Sequence, residues 1–267
     1  MNTLDNMQLV GSGMSADIYK IEDNKVLKLF KAEYGNEVPA YEGWIMECVN
    51  KLNINAPHYY GMKTINDRVG VIYDYIDGKS LINVLMKNPL SIAGYGKLLA
   101  KEQYAINQKK VDGLLNEKER FKNQIERSKG KLGAYYAEVL NDLENKAKEN
   151  YVCHGDFHPG NIMMQNGKPV VIDWMNAYSG TRAGDAARSY MMIISPNIPD
   201  VFRGVRKILL KIVKRKLARS FIKEYIRLSN ISFGEIREWM KIIAAVRLCD
   251  NVPNEEEWLL DIIRGNT

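Results

Sequence analysis

The chain has 267 residues, 46% hydrophobic and 26% charged, with a formal net charge of +6. A chain of this size buries a sizeable core in one large domain or two small ones, its apolar runs fall far short of the ~20 residues of a membrane span, and residues 1–9 lack the basic-then-apolar pattern of a secretory signal. Three scattered cysteines and three histidines exclude a disulfide framework and a zinc centre, leaving oxygen atoms to hold any metal; the expectation is a cytoplasmic protein of undetermined oligomeric state.

In chain order, residues 7–31 read as three short antiparallel strands. A glycine turn, Gly11-Ser12-Gly13, lies between the first two, and Asp23-Asn24 turns the second into the third, Val26-Leu27-Lys28-Leu29-Phe30. Apolar residues at Trp44, Ile45, Val49 and Leu52 mark a helix over about 41–52, closed off by Asn55 and Pro57. Two more strands, about 58–63 and 68–76, are joined at Asn66-Asp67 and end at Asp77-Gly78. This predicts a five-stranded, one-helix unit over residues 1–77. Residues 78–267 form a second, mainly helical unit, interrupted by loop and strand between 151 and 174. Residues 116–150 read as a polar helical hairpin, either scaffold or cover for a substrate.

Ten Lys or Arg fall between Arg203 and Arg227, interleaved with apolar residues at helical spacing. This concentrates the basic excess on one amphipathic helix, whose plain reading is a solvated face on a packed helix. Nucleic acid is not the expected partner. An acidic partner or a membrane surface is the alternative for that face.

The segment His154-Gly155-Asp156-Phe157-His158-Pro159-Gly160-Asn161, followed by Val170-Val171-Ile172-Asp173-Trp174, carries the chemistry. Asp156 and Asn161, five apart with Pro-Gly between, suit a loop that aims a carboxylate at a reacting hydroxyl and a carboxamide at a cation. Asp173 follows at the end of an apolar strand that can hold it rigidly. Three hard oxygen donors so arranged fit a phosphoryl-transfer site with magnesium. His154 and His158 read as structural members of the loop. Gly11-Ser12-Gly13-Met14-Ser15-Ala16 approximates the G-x-G-x-x-G turn that brings backbone N–H groups to phosphate, with Ala16 in the third glycine position.

These motifs resemble the aminoglycoside phosphotransferase and choline kinase group of the protein-kinase-like superfamily. His154-Gly155-Asp156 with Asn161 matches its H-G-D-x-x-x-x-N pattern, and Ile172-Asp173-Trp174 stands where protein kinases have D-F-G. The resemblance implies an α+β, two-lobed fold, with a small antiparallel sheet plus one helix in the N-lobe and a larger helical C-lobe. It also implies transfer of the γ-phosphate of ATP to a hydroxyl of a small molecule. Asp156 would be the catalytic base, and Asn161 and Asp173 would hold Mg2+. Gly11, Ser12 and Gly13 would cover the phosphates. Lys28, chosen over Lys25 and Lys31, would contact the α- and β-phosphates, and its ion-pair partner would be Glu42 in preference to Glu47. Main chain around Asp74 and Ile76 would meet adenine, and Asp185 and Arg188 would brace the catalytic loop. The chain lacks the histidine many members carry near the end of the first long C-lobe helix, here Ala100 to Ile106. A nucleotide-binding module without transfer is the alternative from another class. A protein kinase is disfavoured because no A-P-E segment follows Asp173. The acceptor itself, whether antibiotic, choline-like alcohol, sugar or other, is not specified by these motifs.

Overall fold

A computed structural model describes residues 7–22, 24–198 and 203–266. Residues 1–6, and Asp23 of the expected Asp23-Asn24 turn, lie outside them. The chain packs as two compact units, Met1–Leu81 with Gly160–Asn176, and Ile82–Pro159 with Ala177–Thr267.

The first unit opens with β1 (Gln8–Ser12), β2 (Ala16–Glu22), β3 (Lys25–Phe30), α1 (Glu37–Asn50), β4 (Tyr59–Ile65), β5 (Arg68–Asp74) and the short β6 (Lys79–Ser80). The first five strands form one antiparallel sheet in the order β1-β2-β3-β5-β4. Its central strand buries Leu27 and Leu29 with Ile65 on one face. Phe30 packs with Ala16 and Val71 on the other. Alternation along β3 therefore turns Lys28 to the same face as Val26 and Phe30. The β4–β5 turn places Asn66 and Asp67 at φ 49° and 60°, the left-handed pair that two-residue hairpins demand. The helix expected over 41–52 begins a turn earlier, at Glu37. Pro39 is tolerated there because first-turn N–H groups have no intrahelical acceptor.

The second unit takes up α2 (Leu81–Lys87), α3 (Ile92–Asn107), α4 (Glu117–Arg127), α5 (Lys129–Leu132), α6 (Tyr136–Glu144) and β7 (Tyr151–Cys153). The chain then returns to the first unit with β8 (Ile162–Gln165) and β9 (Lys168–Val171), and goes back to the second with β10 (Tyr178–Gly180), α7 (Arg182–Ile194), α8 (Val205–Ser229), α9 (Phe233–Arg247) and α10 (Glu256–Arg264). β6, β8 and β9 form a small sheet, and β10 pairs with β7. The polar hairpin over 116–150 is α4 to α6. It is anchored by Glu117, whose carboxyl oxygens accept from the Thr181 hydroxyl at 3.0 Å and the Thr181 N–H at 3.2 Å. No described helix is long and apolar enough to cross a membrane.

Candidate active site

The residues singled out by the sequence fall into two groups, one in each unit. In the first unit, the β1–β2 turn is closed by Gly13 N–H donating to Ala16 O at 2.9 Å and the Ser12 hydroxyl donating to Asp17 at 2.8 Å. Ala16 occupies the third glycine position because its methyl belongs to the core cluster with Phe30 and Val71. Neither Gly11 nor Gly13 has a positive φ, and a Cβ on either would meet nothing nearer than 3.5 Å. The fold itself therefore has no steric need for glycine at these two positions.

Lys28 Nζ lies 3.0 and 2.9 Å from the two oxygens of Glu42 and 3.3 Å from Asp173 Oδ1. Glu42 is 2% exposed and also accepts from the Tyr73 hydroxyl at 2.7 Å, whereas Glu47, on the same helix, faces solvent. Burial acts to lower the Lys28 ammonium, but the charges of Glu42 and Asp173 outweigh it and hold its pKa above the ordinary lysine value. Lys25 is occupied by Glu22 at 2.9 Å.

Asn161 and Asp173 flank the open end of the β8–β9 hairpin. Its turn residues Asn166 and Gly167 stand at φ 50° and 76°, and Ile162 pairs with Val171 at the other end. One step further out, Ile172 N–H donates to Asn161 O at 2.9 Å. The twelve-residue spacing thus brings the two backbones together through a tight hairpin. Asp173 itself sits at φ 63°, a region few non-glycine residues occupy, with its side chain 46% exposed. Trp174 behind it is buried and donates its indole N–H to Val171 O at 2.9 Å, fixing the turn. At the end of β5 the Asp74 carboxylate is taken by His58 N–H at 2.8 Å and the Tyr60 hydroxyl at 2.9 Å, while Tyr75 N–H donates to Asn24 O at 2.7 Å. The chain leaves the ladder there, so Ile76 lies outside the strand.

In the second unit, Asp156 follows β7 on a loop that turns at Gly155, φ 74°. Asp185, fully buried on α7, accepts from the N–H groups of His154 at 3.3 Å and Gly155 at 3.0 Å. Arg188, one turn further along α7, donates to Gly155 O and, at 3.2 Å, to Asp250. These two residues hold the loop as the resemblance implies. The sequence reading missed the rest of the brace. Gln103 and Asn107, one turn apart on α3, donate to Asp185 at 2.8 and 3.0 Å, and Tyr225 donates to Asn107 at 2.7 Å. Two amides at i and i+4 among the apolar positions of a helix were the available signal. They lie in the helix where the expected histidine is lacking. His154 is buried and its Nδ1 accepts from Asp156 N–H at 3.2 Å, while His158 Nε2 lies 3.7 Å from the Asp156 carboxylate. Burial acts to raise that carboxyl, but the interaction with His158 and the charges of Arg188 and His154 hold it well below the usual carboxylate range.

The first unit thus holds a lysine bridged to two carboxylates, a glycine turn and an asparagine–aspartate hairpin. The phosphotransferase enzyme family model matches residues 6–217. The chain belongs to this family. Comparison with curated proteins gives no significant match. Solved structures carry the likeness to the fold of the phosphotransferases across nearly the whole chain. Against a thermostable mutant of aminoglycoside phosphotransferase APH(4)-Ia, in ternary complex with AMP-PNP and hygromycin B, the TM-score is 0.64 at 14% identity, covering 97% of this chain and 92% of that one. Amicoumacin kinase hAmiN, in complex with AMP-PNP, Ca2+ and Ami, gives 0.61 at 12%, covering 98% and 87%. Choline kinase from Cryptosporidium parvum Iowa II gives 0.57 at 11%, covering 97% and 87%. At such identities the likeness establishes a two-lobed, protein-kinase-like fold. Among the described residues, no group of three or more His, Cys, Asp or Glu is gathered as a metal cage.

Proposed function

We propose that this phosphotransferase moves the γ-phosphoryl group of ATP to a hydroxyl of a small molecule, and the observation that carries the reading is Lys28 held between Glu42 and Asp173. One ammonium against two carboxylates leaves a net negative charge, which suits a site completed by a cation. Asn161 and Asp173 fit magnesium, because that ion takes hard oxygen donors and keeps several positions for water and phosphate, so two protein donors suffice. Bound there, magnesium would neutralise charge on the β- and γ-phosphates. The remaining contributions are those of this chain. Lys28, kept charged by its two neighbours, pairs with the phosphates. The β1–β2 turn brings N–H groups to them, with Gly11 and Gly13 sparing the space a side chain would fill. Main chain at Asp74 and Ile76 meets the adenine. Asp156, ionised throughout the neutral range, is a weak base, so its part is to orient the acceptor hydroxyl and to take its proton late, as a loose transition state allows.

The acceptor in this reading is not a strongly polycationic aminoglycoside. Binding several ammonium groups requires carboxylates without internal partners. Each carboxylate of the acidic run near the C-terminus already faces a cation of this chain: Glu255 is buried against Arg247 at 2.5 Å, while at the surface Glu256 meets Lys131 at 2.7 Å, and Glu257 and Asp261 share Arg264 at 2.7 and 3.5 Å.

An ATP-consumption screen across aminoglycosides, neutral sugars, choline-like alcohols and amino-acid alcohols, with Asp156→Asn as the blank, tests both statements. We expect turnover on a neutral or singly charged acceptor, reduced ~10²- to 10⁴-fold in Asp156→Asn with ATP binding retained. Undiminished turnover in that variant rejects Asp156. Efficient phosphorylation of kanamycin or neomycin rejects the charge argument, and phosphorylation of casein in place of any small molecule rejects the acceptor class.

A further inference from the structure

Helix α8 has two different halves. Its C-terminal half buries Leu217, Ala218, Phe221 and Tyr225. There it lies against α3 so closely that a Cβ on Gly96 would stand 2.6 Å from Ser220 and 2.8 Å from the Leu217 carbonyl. The N-terminal half carries Val205, Ile208, Leu209 and Ile212, each more than half exposed. These four fall at i, i+3, i+4 and i+7, one continuous stripe on a helix of 3.6 residues per turn. At that pitch the stripe lies on roughly the opposite side of the axis from Phe221 and Tyr225. It is therefore an outward apolar face and not the frayed edge of the core.

The stripe is set in positive charge. Arg206, Lys207, Lys211, Arg215 and Lys216 are exposed on this half of the helix, with Arg206 on one flank of the stripe, Lys211 and Arg215 on the other, Lys216 in line with it and Lys207 on the opposite side, and no Asp or Glu occurs between Arg203 and Lys223. None of these five makes an ion pair among the described residues. Lys214 alone is turned inward, donating to the carbonyls of Ser195 and Asn197 at 2.6 and 3.1 Å. The apolar surface continues sideways. Met86 and Pro89 line a cavity of about 370 Å3 with Leu209 and Val213, and Met86 and Leu90 are themselves exposed.

We infer that the N-terminal half of α8, with the adjoining end of α2, is a docking face for an anionic lipid bilayer surface. An interfacial helix needs an apolar stripe that enters the headgroup boundary and long cationic side chains on its flanks that reach back to the phosphates. This segment has both. A peptide helix is instead clasped along its length in a concave groove, whereas of the four stripe residues Leu209 lines the cavity beside α2 and Val205, Ile208 and Ile212 do not. Lipid supplies negative charge along both flanks at once, which matches cations on either side of the stripe. The proposal is independent of the identity of the acceptor and goes beyond the phosphotransferase reading.

The test is co-sedimentation of the full-length protein with vesicles of phosphatidylcholine containing phosphatidylglycerol, against vesicles of phosphatidylcholine alone. Binding is expected to the anionic vesicles only and to fall as salt is raised. Each Lys or Arg near an anionic surface is worth roughly a fivefold factor in binding, and these substitutions reverse the charge as well as remove it, so K211E/R215E/K216E should weaken it by at least about a hundredfold. I208S/I212S should weaken it by at least about tenfold. ATP binding and near-ultraviolet circular dichroism serve as folding controls, since these side chains are exposed. Absence of wild-type binding to anionic vesicles overturns the proposal even if a variant fails to fold. So does equal binding to neutral vesicles, retention of binding in both folded variants, or capture of soluble polyglutamate with no vesicle binding.

Discussion

The two groups of candidate residues are held by opposite means. In the first unit, the groups proposed to work on the nucleotide, Lys28, Glu42 and Asp173, are placed by strand alternation, one helix turn and one hairpin. The charges hold one another, and Asp173 still faces solvent. In the second unit, the proposed working carboxylate, Asp156, is alone on a loop, and its placement depends on a buried polar network that never reaches the surface: Asp185, Gln103 and Asn107, with Tyr225 behind them. Substitutions in the first unit should therefore be read mainly in nucleotide affinity. Substitutions in the brace of the second should be read in stability, and only through it in turnover.

The strongest test of that contrast is Asp185→Ala. Four donors, the N–H groups of His154 and Gly155 and the amides of Gln103 and Asn107, lose their buried acceptor. Each unsatisfied buried donor costs about 1–3 kcal/mol, with incomplete additivity, so a loss of about 3–5 kcal/mol is expected. Asp156→Asn on the same loop should cost less stability than Asp185→Ala while removing transfer, because the amide keeps the shape, the side chain is part-exposed, and what is lost is the pairing of its charge with His158 and Arg188. Urea melts of the two variants decide it; equal stability losses would erase the distinction between brace and working group.

A second test uses pH, since two carboxyls of the second unit are shifted in opposite directions. Burial pushes Glu117 up to about 8 against the bonds from Thr181, from an ordinary 4.5. The folded state then holds a proton that the unfolded state releases, so stability falls as pH rises from about 4.5 to about 8. Asp156 is held low, so its pairing contributes above the unfolded value of about 4 and is lost as pH falls through its folded value. Glu117→Gln should remove the alkaline loss, roughly 3–5 kcal/mol over that window, while leaving the acid limb unchanged. Melting temperatures from pH 4 to 9 measure it, and an unchanged alkaline limb would mean that Glu117 is ionised in the fold.

Lys28→Ala acts on both readouts. It leaves Glu42 buried with only Tyr73 beside it, which should cost about 2–3 kcal/mol, and it should weaken ATP about tenfold or more while adenosine binds as before. Calorimetry with the two ligands separates the effects. Equal weakening of both would take Lys28 out of the phosphate site.

How much of this was legible in the sequence follows the same division. The β4–β5 hairpin was legible because Asn66-Asp67 is a residue pair that turn chemistry selects locally, and both residues adopt the left-handed backbone of a two-residue turn. Lys28 was legible as the one polar residue within an apolar strand. The first turn of α1 was not, because Pro39 reads as a breaker unless the helix start is already known. β10 was not either: three residues paired to β7 carry too little pattern to announce a strand. The brace was legible only from its α7 side, where Asp185 and Arg188 stand in a recognisable segment. Gln103 and Asn107 lie 82 and 78 residues before Asp185, Tyr225 lies 118 residues beyond Asn107 on α8, and nothing local to each says that they share one acceptor network.

The smallest expected effect is the sharpest probe, because it asks whether two glycines in this chain serve different masters. Gly155 has φ 74°, a backbone that side-chain-bearing residues adopt at a cost, and its N–H is bound by buried Asp185. Gly155→Ala should destabilise the protein by about 1 kcal/mol or more. Gly13 has an ordinary φ, and a methyl there would stand 3.5 Å from the Ala16 carbonyl, a normal contact. Replacing a glycine whose backbone an alanine can adopt lowers the entropy of the unfolded chain, so Gly13→Ala should leave stability unchanged or raise it by ~0.4–1 kcal/mol. Its penalty belongs to the ligand: a methyl beside the N–H groups of the β1–β2 turn obstructs phosphate, so ATP should bind more weakly and adenosine as before. Thermal melts without nucleotide and calorimetry with both ligands read the two quantities separately. If Gly13→Ala destabilises the free protein, the turn needs glycine for folding; if it leaves ATP affinity intact, the turn is not where the phosphates lie, and Lys28 would be working without the cradle assigned to it.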